Sequence, residues 1–188
     1  MQTAMAGTAT TSIAAVLVVL VVVSCGLPAS HTDATFISKT CKKTKHAALC
    51  VSVLGLDQDS VNASTVHDLA GVALEISTVF ADFEAGNIRV GARFNQGTPV
   101  GDALSVCFRA YIDATDDLKL SAKQSLDGGD YAGASKIVMG AKAAGGVCDN
   151  ALKRIKMDFH AEVDRDMMER CGVAAELIGL LATSSDGS

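Results

Sequence analysis

The feature that most restricts this chain is a helical repeat of apolar residues, spaced alternately by three and four, that runs through most of its length and meets few breakers. From Ser64 onward, Val66, Leu69, Ala73, Ile76, Phe80, Phe83, Val90 and Phe94 keep that spacing, with polar Asn87 in one slot. Such a pattern lays an apolar stripe along one side of a long helix and predicts that the set faces a core. Pro28 and Pro99 are the two prolines, and β-branched runs of strand type are scarce. The chain is therefore expected to be all-α.

The breaks that do occur divide the repeat into segments. Gln96, Gly97 and Thr98 end the first, with Thr98 a candidate N-cap and Pro99 suited to the first helical position. The next helix is expected to bury Val100, Leu104, Cys107, Tyr111, Ala114 and Leu118 and to stop at Asp127-Gly128-Gly129, where glycine supplies a left-handed turn. Asp130 can cap a third, whose stripe is Tyr131, Ala134, Val138, Ala141, Gly145 and Cys148; its alanines and glycines predict close helix approach at some cost in propensity. Lys153 to His160 reads as a connection, and Asp164 or a neighbour starts a last helix with the stripe Met167, Cys171, Ala174, Ile178 and Leu181. Four long amphipathic segments with short connections predict an antiparallel four-helix bundle. Thr32 to Leu56 has room for two short helices, an N-terminal α-hairpin. The division expected is a hairpin over 30–60, the bundle over 61–183 and a disordered tail over 184–188.

The first thirty residues contain no Asp, Glu, Lys or Arg, and Ile13 to Val23 is unbroken Ile, Ala, Val and Leu. That run is too short to cross about 30 Å of hydrocarbon as a helix, but it has the length of a signal-peptide core. The small residues and Pro28 that follow suit cleavage after Gly26 or Ala29, so 1–29 is read as a secretory signal peptide. Two other readings are an uncleaved anchor and a bacterial lipoprotein acylated at Cys25, since Val22, Val23, Ser24 and Cys25 loosely resemble a lipobox. Removal leaves about 160 residues, enough for one domain with a single core and no expected membrane association.

All 16 Lys and Arg and all 21 Asp and Glu fall in that mature part, so its formal net charge is -5. A nucleic-acid binder needs a concentrated basic face. The one basic cluster, Lys39, Lys42, Lys43 and Lys45, reads instead as a solvated helix face. Asn62-Ala63-Ser64 is an N-glycosylation acceptor that secretion makes usable.

Past Cys25 the cysteines are Cys41, Cys50, Cys107, Cys148 and Cys171. A bridge between Cys41 and Cys50 has a clear use, because the hairpin is too small to bury its own core and closing a short loop contributes roughly 2 to 3 kcal/mol. Cys107 and Cys148 lie on inward stripes of different helices and can meet if those helices are in register. Spacing alone leaves the pairing open. A zinc site is not expected, because there is no Cys-x-x-Cys and His31, His46, His67 and His160 are scattered. Asp113, Asp116 and Asp117 suggest paired carboxylates, but with no His, metal partner or Gly-rich loop beside them they read as an acidic exposed face. The Glu-x-x-His elements of a di-iron bundle are lacking. Cys171 on its apolar stripe reads as a buried small hydrophobe rather than a nucleophile, and Met167 and Met168 read as core. No catalytic activity, cofactor or metal is expected.

Ile37-Ser38-Lys39-Thr40-Cys41-Lys42-Lys43-Thr44, with eight residues between Cys41 and Cys50, resembles the opening of the plant invertase and pectin methylesterase inhibitor family. The likeness continues through Ala103-Leu104-Ser105-Val106-Cys107-Phe108-Arg109-Ala110-Tyr111, Gly129-Asp130-Tyr131 and Cys148-Asp149-Asn150, and ends near Gly179-Leu180-Leu181. It implies a four-helix bundle preceded by an α-hairpin, with disulfides Cys41 to Cys50 and Cys107 to Cys148. Cys171 matches an unpaired fifth cysteine found in many members.

The resemblance further implies a secreted protein of the cell wall or apoplast, alternatively the vacuole. It acts as a monomer in a 1:1 complex, filling the substrate cleft of a carbohydrate-active enzyme sterically and reversibly. A rigid docking surface loses little entropy on binding. Invertase-inhibiting members carry Pro-Lys-Phe after the Asp that opens the third bundle helix, where this chain has Tyr131-Ala132-Gly133. Gly-Asp-Tyr is common in members that inhibit pectin methylesterase. The contacts of those members fall here on Arg109, Asp113 and Asp116, and on Val147, Asn150 and Ala151. Asp113 and Asp116 keep an acidic character, whereas Arg109 replaces an acid and Val147 a small hydroxyl residue. Pectin methylesterase is thus the implied target, with invertase the alternative. A third reading, from a different class, is an apolar-ligand carrier, since helical bundles can open a cavity between their helices.

Overall fold

A computed structural model describes residues 31–55 and 57–185. The expected signal peptide over 1–29, its apolar run and Cys25 lie outside the described residues, as do Leu56 and 186–188. The elements in order are α1 (His31–Cys41), α2 (Ala47–Leu54), α3 (Gln58–Asn62), α4 (Val66–Phe94), α5 (Pro99–Asp116), a π-helical turn (Asp117–Ala122), α6 (Lys123–Asp127), α7 (Tyr131–Lys153) and α8 (Ala161–Ser185). The architecture is the all-α one expected: α4, α5 with its π turn and α6, α7 and α8 form the four-helix bundle, and α1 with α2 forms the hairpin before it. Within the bundle α5 and α8 each lie between α4 and α7.

Local chemistry sets the helix ends. Thr65 and Asp68 form a reciprocal capping box at the start of α4. The Thr98 hydroxyl accepts from the Gly101 N–H, with Pro99 following it, and the Asp130 carboxylate accepts from the Gly133 N–H. Gly129, at φ 79°, makes the left-handed turn that ends α6. Between α5 and α6 the buried Leu118, Ala122 and Leu126 stand four residues apart. Four residues overshoot one turn of an α-helix and fall short of one turn of the wider π-helix, so the drift from Leu118 to Ala122 in the π turn offsets that from Ala122 to Leu126 in α6 and all three stay on the core side. Nothing in the three-and-four pattern announced that turn.

The inward stripes of α5, α7 and α8 follow the sequence reading, with Leu104, Cys107, Tyr111, Val138, Cys148, Met167 and Ile178 all buried, while Val100, Tyr131 and Leu181 near the stripe ends are only half-buried. The stripe of α4 does not. Leu69 and Ala73 are buried, but farther along the core is met by Ser77, Thr78, Ala81, Glu84, Ala85 and Ile88, while Phe83, Val90 and Phe94 face out. Small side chains let α4 approach its neighbours closely, and the two buried hydroxyls are satisfied by Ser77 Oγ donating to the Ala73 carbonyl and Thr78 Oγ1 to that of Leu74. Met167 is buried and Met168 half-buried.

Two boundaries also differ from expectation. α3 straddles residue 60, so a short helix joins hairpin to bundle where a division was placed. α8 starts at Ala161, directly after the connection read over Lys153 to His160, but continues to Ser185, past the expected onset of a disordered tail. No Gly or Pro interrupts the chain from Leu180 to Ser185 to stop the helical ladder.

Cys41 and Cys50 are bridged, with Cα atoms 5.5 Å apart, and close the α1–α2 hairpin. The hairpin is tied to the bundle by His46, whose backbone N–H donates to Glu176 on α8 at 3.2 Å and whose Nδ1 lies 2.5 Å from the same carboxylate. Lys39, Lys42, Lys43 and Lys45 are exposed.

Cys171 is free and fully buried, and burial pushes its thiol from the ordinary 9.0 up to about 12. An iodoacetamide adduct at Cys171 is therefore expected only after unfolding, as peptide mass mapping will show. Because the folded thiol holds its proton longer than the unfolded one, its contribution to stability is complete below pH 9.0 and lost as pH rises from there towards about 12.

Candidate functional site

Helices α5 and α7 are clamped to each other by the Cys107–Cys148 disulfide, whose Cα atoms are 4.4 Å apart. The seam beside that clamp is open to solvent as two grooves that meet at Val147. One, of about 530 Å³, is lined by Pro99, Asp102, Val106, Asn150, Ala151 and Arg154 as well as Val147. The other, of about 160 Å³, continues along the seam past Asp113, Asp117, Gly140 and Ala144. The resulting face is apolar along its floor and carboxylate-rich on its α5 edge.

The residues singled out in the sequence distribute over this face. Asp113, Val147, Asn150 and Ala151 line the grooves directly. Arg109 and Asp116 do not line them, but each stands three or four residues from Asp113 or Val106, on the outer shoulder of the same stripe of α5, and both are exposed. Lys153, one turn from Asp149 on α7, is paired with it at 2.6 Å, so the basic group nearest Asn150 in the chain is already neutralised. Asn62 is exposed at the end of α3.

Directly behind the clamp lies a polar cluster that the sequence reading missed. Tyr111 Oη donates to Asp164 Oδ1 at 2.8 Å, and His160 Nδ1 lies 3.1 Å from the same oxygen. Asp164 is 1% exposed, and its other oxygen has no partner among the described residues. Burial first, then the neighbouring Asp164, pushes the Tyr111 phenol well above its ordinary range, so it stays a donor. A signal was present: His160 and Asp164 extend the α8 stripe backwards from Met167 at spacings of four and three, and a buried tyrosine needs a partner for its hydroxyl.

Cys148, His160 and Asp164 offer ligand atoms within 4.8 Å of one another, so His160 is not the isolated residue its sequence position suggested. The Cys148 sulfur is committed to the disulfide and supplies no thiolate. The arrangement works as a hydrogen-bond network that fixes α8 against α5. Gly145 completes the packing, since a Cβ there would stand 2.3 Å from the Asp164 carbonyl oxygen of α8. Close helix approach, expected from the small residues of α7, is thus backbone against side-chain-free backbone.

The site is thus a shallow, solvent-open seam on a disulfide-clamped helical bundle. The sequence model of the Plant invertase/pectin methylesterase inhibitor family matches residues 35–177, and the chain belongs to that family. It is thereby placed among inhibitors of pectin methylesterase or invertase. Solved structures of the same fold include two pectin methylesterase inhibitors. A mutant form of a pectin methylesterase inhibitor from Arabidopsis is 20% identical with a TM-score of 0.65, covering 77% of this chain and 95% of its own. A pectin methylesterase inhibitor from Arabidopsis thaliana is also 20% identical, with a TM-score of 0.59 and coverage of 79% and 97%. No curated protein sequence matches the chain. The carrier reading has no support: α7 and α8 meet at backbone contact, and the grooves described are open at the surface.

Proposed function

We propose that this protein is a secreted inhibitor of pectin methylesterase that blocks the enzyme's substrate cleft non-covalently with its α5–α7 face. The observation that carries the reading is the convergence of Asp113, Val147 and Asn150 on one solvent-open seam beside the interhelical disulfide. The carboxylates of Asp113 and Asp116 offer charge-assisted acceptors to a cleft rim, Asn150 a neutral donor and acceptor, and Val147 an apolar centre. Arg109, exposed beside Asp113 where similar inhibitors carry an acid, is a position at which this docking face differs from theirs. Gly129-Asp130-Tyr131, typical of family members that inhibit pectin methylesterase, favours that target over invertase. Because α5 and α7 are held in register before binding, little conformational entropy is lost on docking. Secretion to the apoplast or cell wall, a glycan on exposed Asn62 and a 1:1 complex belong to the same reading.

Titrating the purified protein into pectin methylesterase at acidic and neutral pH, with methanol release as the readout, is expected to abolish activity near equimolar ratios. Activity untouched at either pH, or loss of invertase activity in its place, overturns the assignment. Replacing Asp113 and Asp116 together with alanine is expected to weaken inhibition by about tenfold or more while leaving the helical circular dichroism intact. Undiminished potency places the docking face elsewhere.

A further inference from the structure

The outer side of α4 carries apolar groups that the core does not use. Val79 is 58% exposed, Phe83 64%, Val90 50% and Phe94 86%. By helical spacing they form one stripe on the side of α4 opposite buried Ala81 and Ile88. An apolar row of this kind on a soluble protein marks an interaction surface.

The stripe has an internal symmetry. Val79 and Phe94 stand equally far from the midpoint between Gly86 and Asn87, and so do Phe83 and Val90. The charges along one flank invert about the same point: exposed Glu75 and Asp82 lie on the N-terminal side, exposed Arg89 and Arg93 on the C-terminal side. A side chain at Gly86 would meet nothing within 4 Å, so the fold of one copy does not require glycine at this mid-helix position.

We propose that α4 is a self-association face on which two copies of this chain pair antiparallel about a two-fold axis passing by Gly86 and Asn87. Such an interface is isologous, each residue meeting its counterpart in reverse order. Val79 and Phe83 of one copy then lie against Phe94 and Val90 of the other, and glycine at the crossing lets the helices approach closely. Asp82 falls within one helical turn of both Arg89 and Arg93 across the axis, because antiparallel pairing brings the same flank of the two copies together; parallel pairing sends the two charged flanks to opposite edges and forms no such contact, which sets the antiparallel direction. The occupant is therefore a second copy rather than an unrelated apolar partner. A single helix seam about 22 Å long is smaller than a standard interface of about 800 Å² per partner, so the dimer dissociates on dilution. The inference stands apart from the target assignment, because α4 contributes nothing to the α5–α7 seam, and it departs from the monomer expected from the family resemblance.

Sedimentation equilibrium over a concentration series tests it. The mass is expected to rise from one chain to two and to level there. Phe83→Glu is expected to remain a single chain throughout, with unchanged circular dichroism, since this side chain faces solvent. Asp82→Arg is expected to weaken the dimer about tenfold, and adding Arg89→Glu with Arg93→Glu to restore it. A single-chain mass at every concentration, growth past two copies, or undiminished association of Phe83→Glu overturns the proposal. Failure of the triple reversal to restore association overturns the antiparallel pairing.

Discussion

Replacing Cys107 and Cys148 together with alanine is expected to cost about 4 kcal/mol of stability and to lower the melting midpoint by roughly 10 °C. The bridge spans a sequence separation of 41, enclosing the rest of α5, the π turn, α6 and most of α7. Cutting it returns the closure entropy of that loop to the unfolded chain, which is the larger part of the loss. Both cysteines are fully buried, so alanine leaves a small void but no orphaned hydroxyl. The single change Cys107→Ser is worse in kind, since it leaves the Cys148 thiol without its partner and buries a new hydroxyl. Cutting Cys41–Cys50, at a separation of 9, is expected to cost about 2.5 kcal/mol and to loosen chiefly the hairpin. Calorimetry of the variants without reductant checks the ranking. An unchanged midpoint for the Cys107, Cys148 variant removes the clamp from the account of stability. A melting loss with full inhibitory potency shows that the seam keeps its register through packing alone.

What was legible in the sequence was the set of patterns that depend on one helix at a time. Thr98-Pro99, Asp127-Gly128-Gly129 and Asp130 are local stop and start signals, and each lies at the helix end it predicts. The stripes of α5, α7 and α8 are dominated by residues that have one reason to be apolar. α4 has two apolar sides. Its core side is built from Ser77, Ala81 and Ala85, small enough to be overlooked, and its outer side carries Phe83 and Phe94, which dominate any hydrophobic pattern. A periodicity search therefore follows the large residues to the wrong side. The π turn was illegible for another reason: its cause is the match between Leu118, Ala122 and Leu126 and their neighbours in the bundle, a tertiary demand rather than a local one.

The seam on α5 and α7 was reached through the family resemblance and not through chemistry visible in the residues. Asp113, Asp116 and Asp117 read from sequence as a plain acidic face, and in isolation that is what they are. Their position becomes informative once Val147 and Asn150 are seen across the groove. The buried cluster behind the clamp shows the opposite case, in which the signal was chemical but dispersed. Tyr111 and Asp164 are 53 residues apart, and only the packing of α8 on α5 joins them.

Asp164→Ala is expected to destabilise the protein by about 3 kcal/mol, although the residue touches neither proposed face. The Tyr111 hydroxyl loses its acceptor in a site without solvent, His160 loses the oxygen its ring faces at 3.1 Å, and a void opens where α8 crosses α7. Tyr111→Phe removes the donor alone and is expected to cost about 2 kcal/mol, the value of a buried hydrogen bond to a carboxylate. The pair should not be additive: once Asp164 is gone the Tyr111 hydroxyl is a liability, so the double variant is expected to cost at least about 1 kcal/mol less than the sum of the singles. Urea denaturation of the four proteins measures that coupling directly. Strict additivity means that Tyr111 and Asp164 contribute independently, and that Gly145 packing rather than the polar network holds α8 in place.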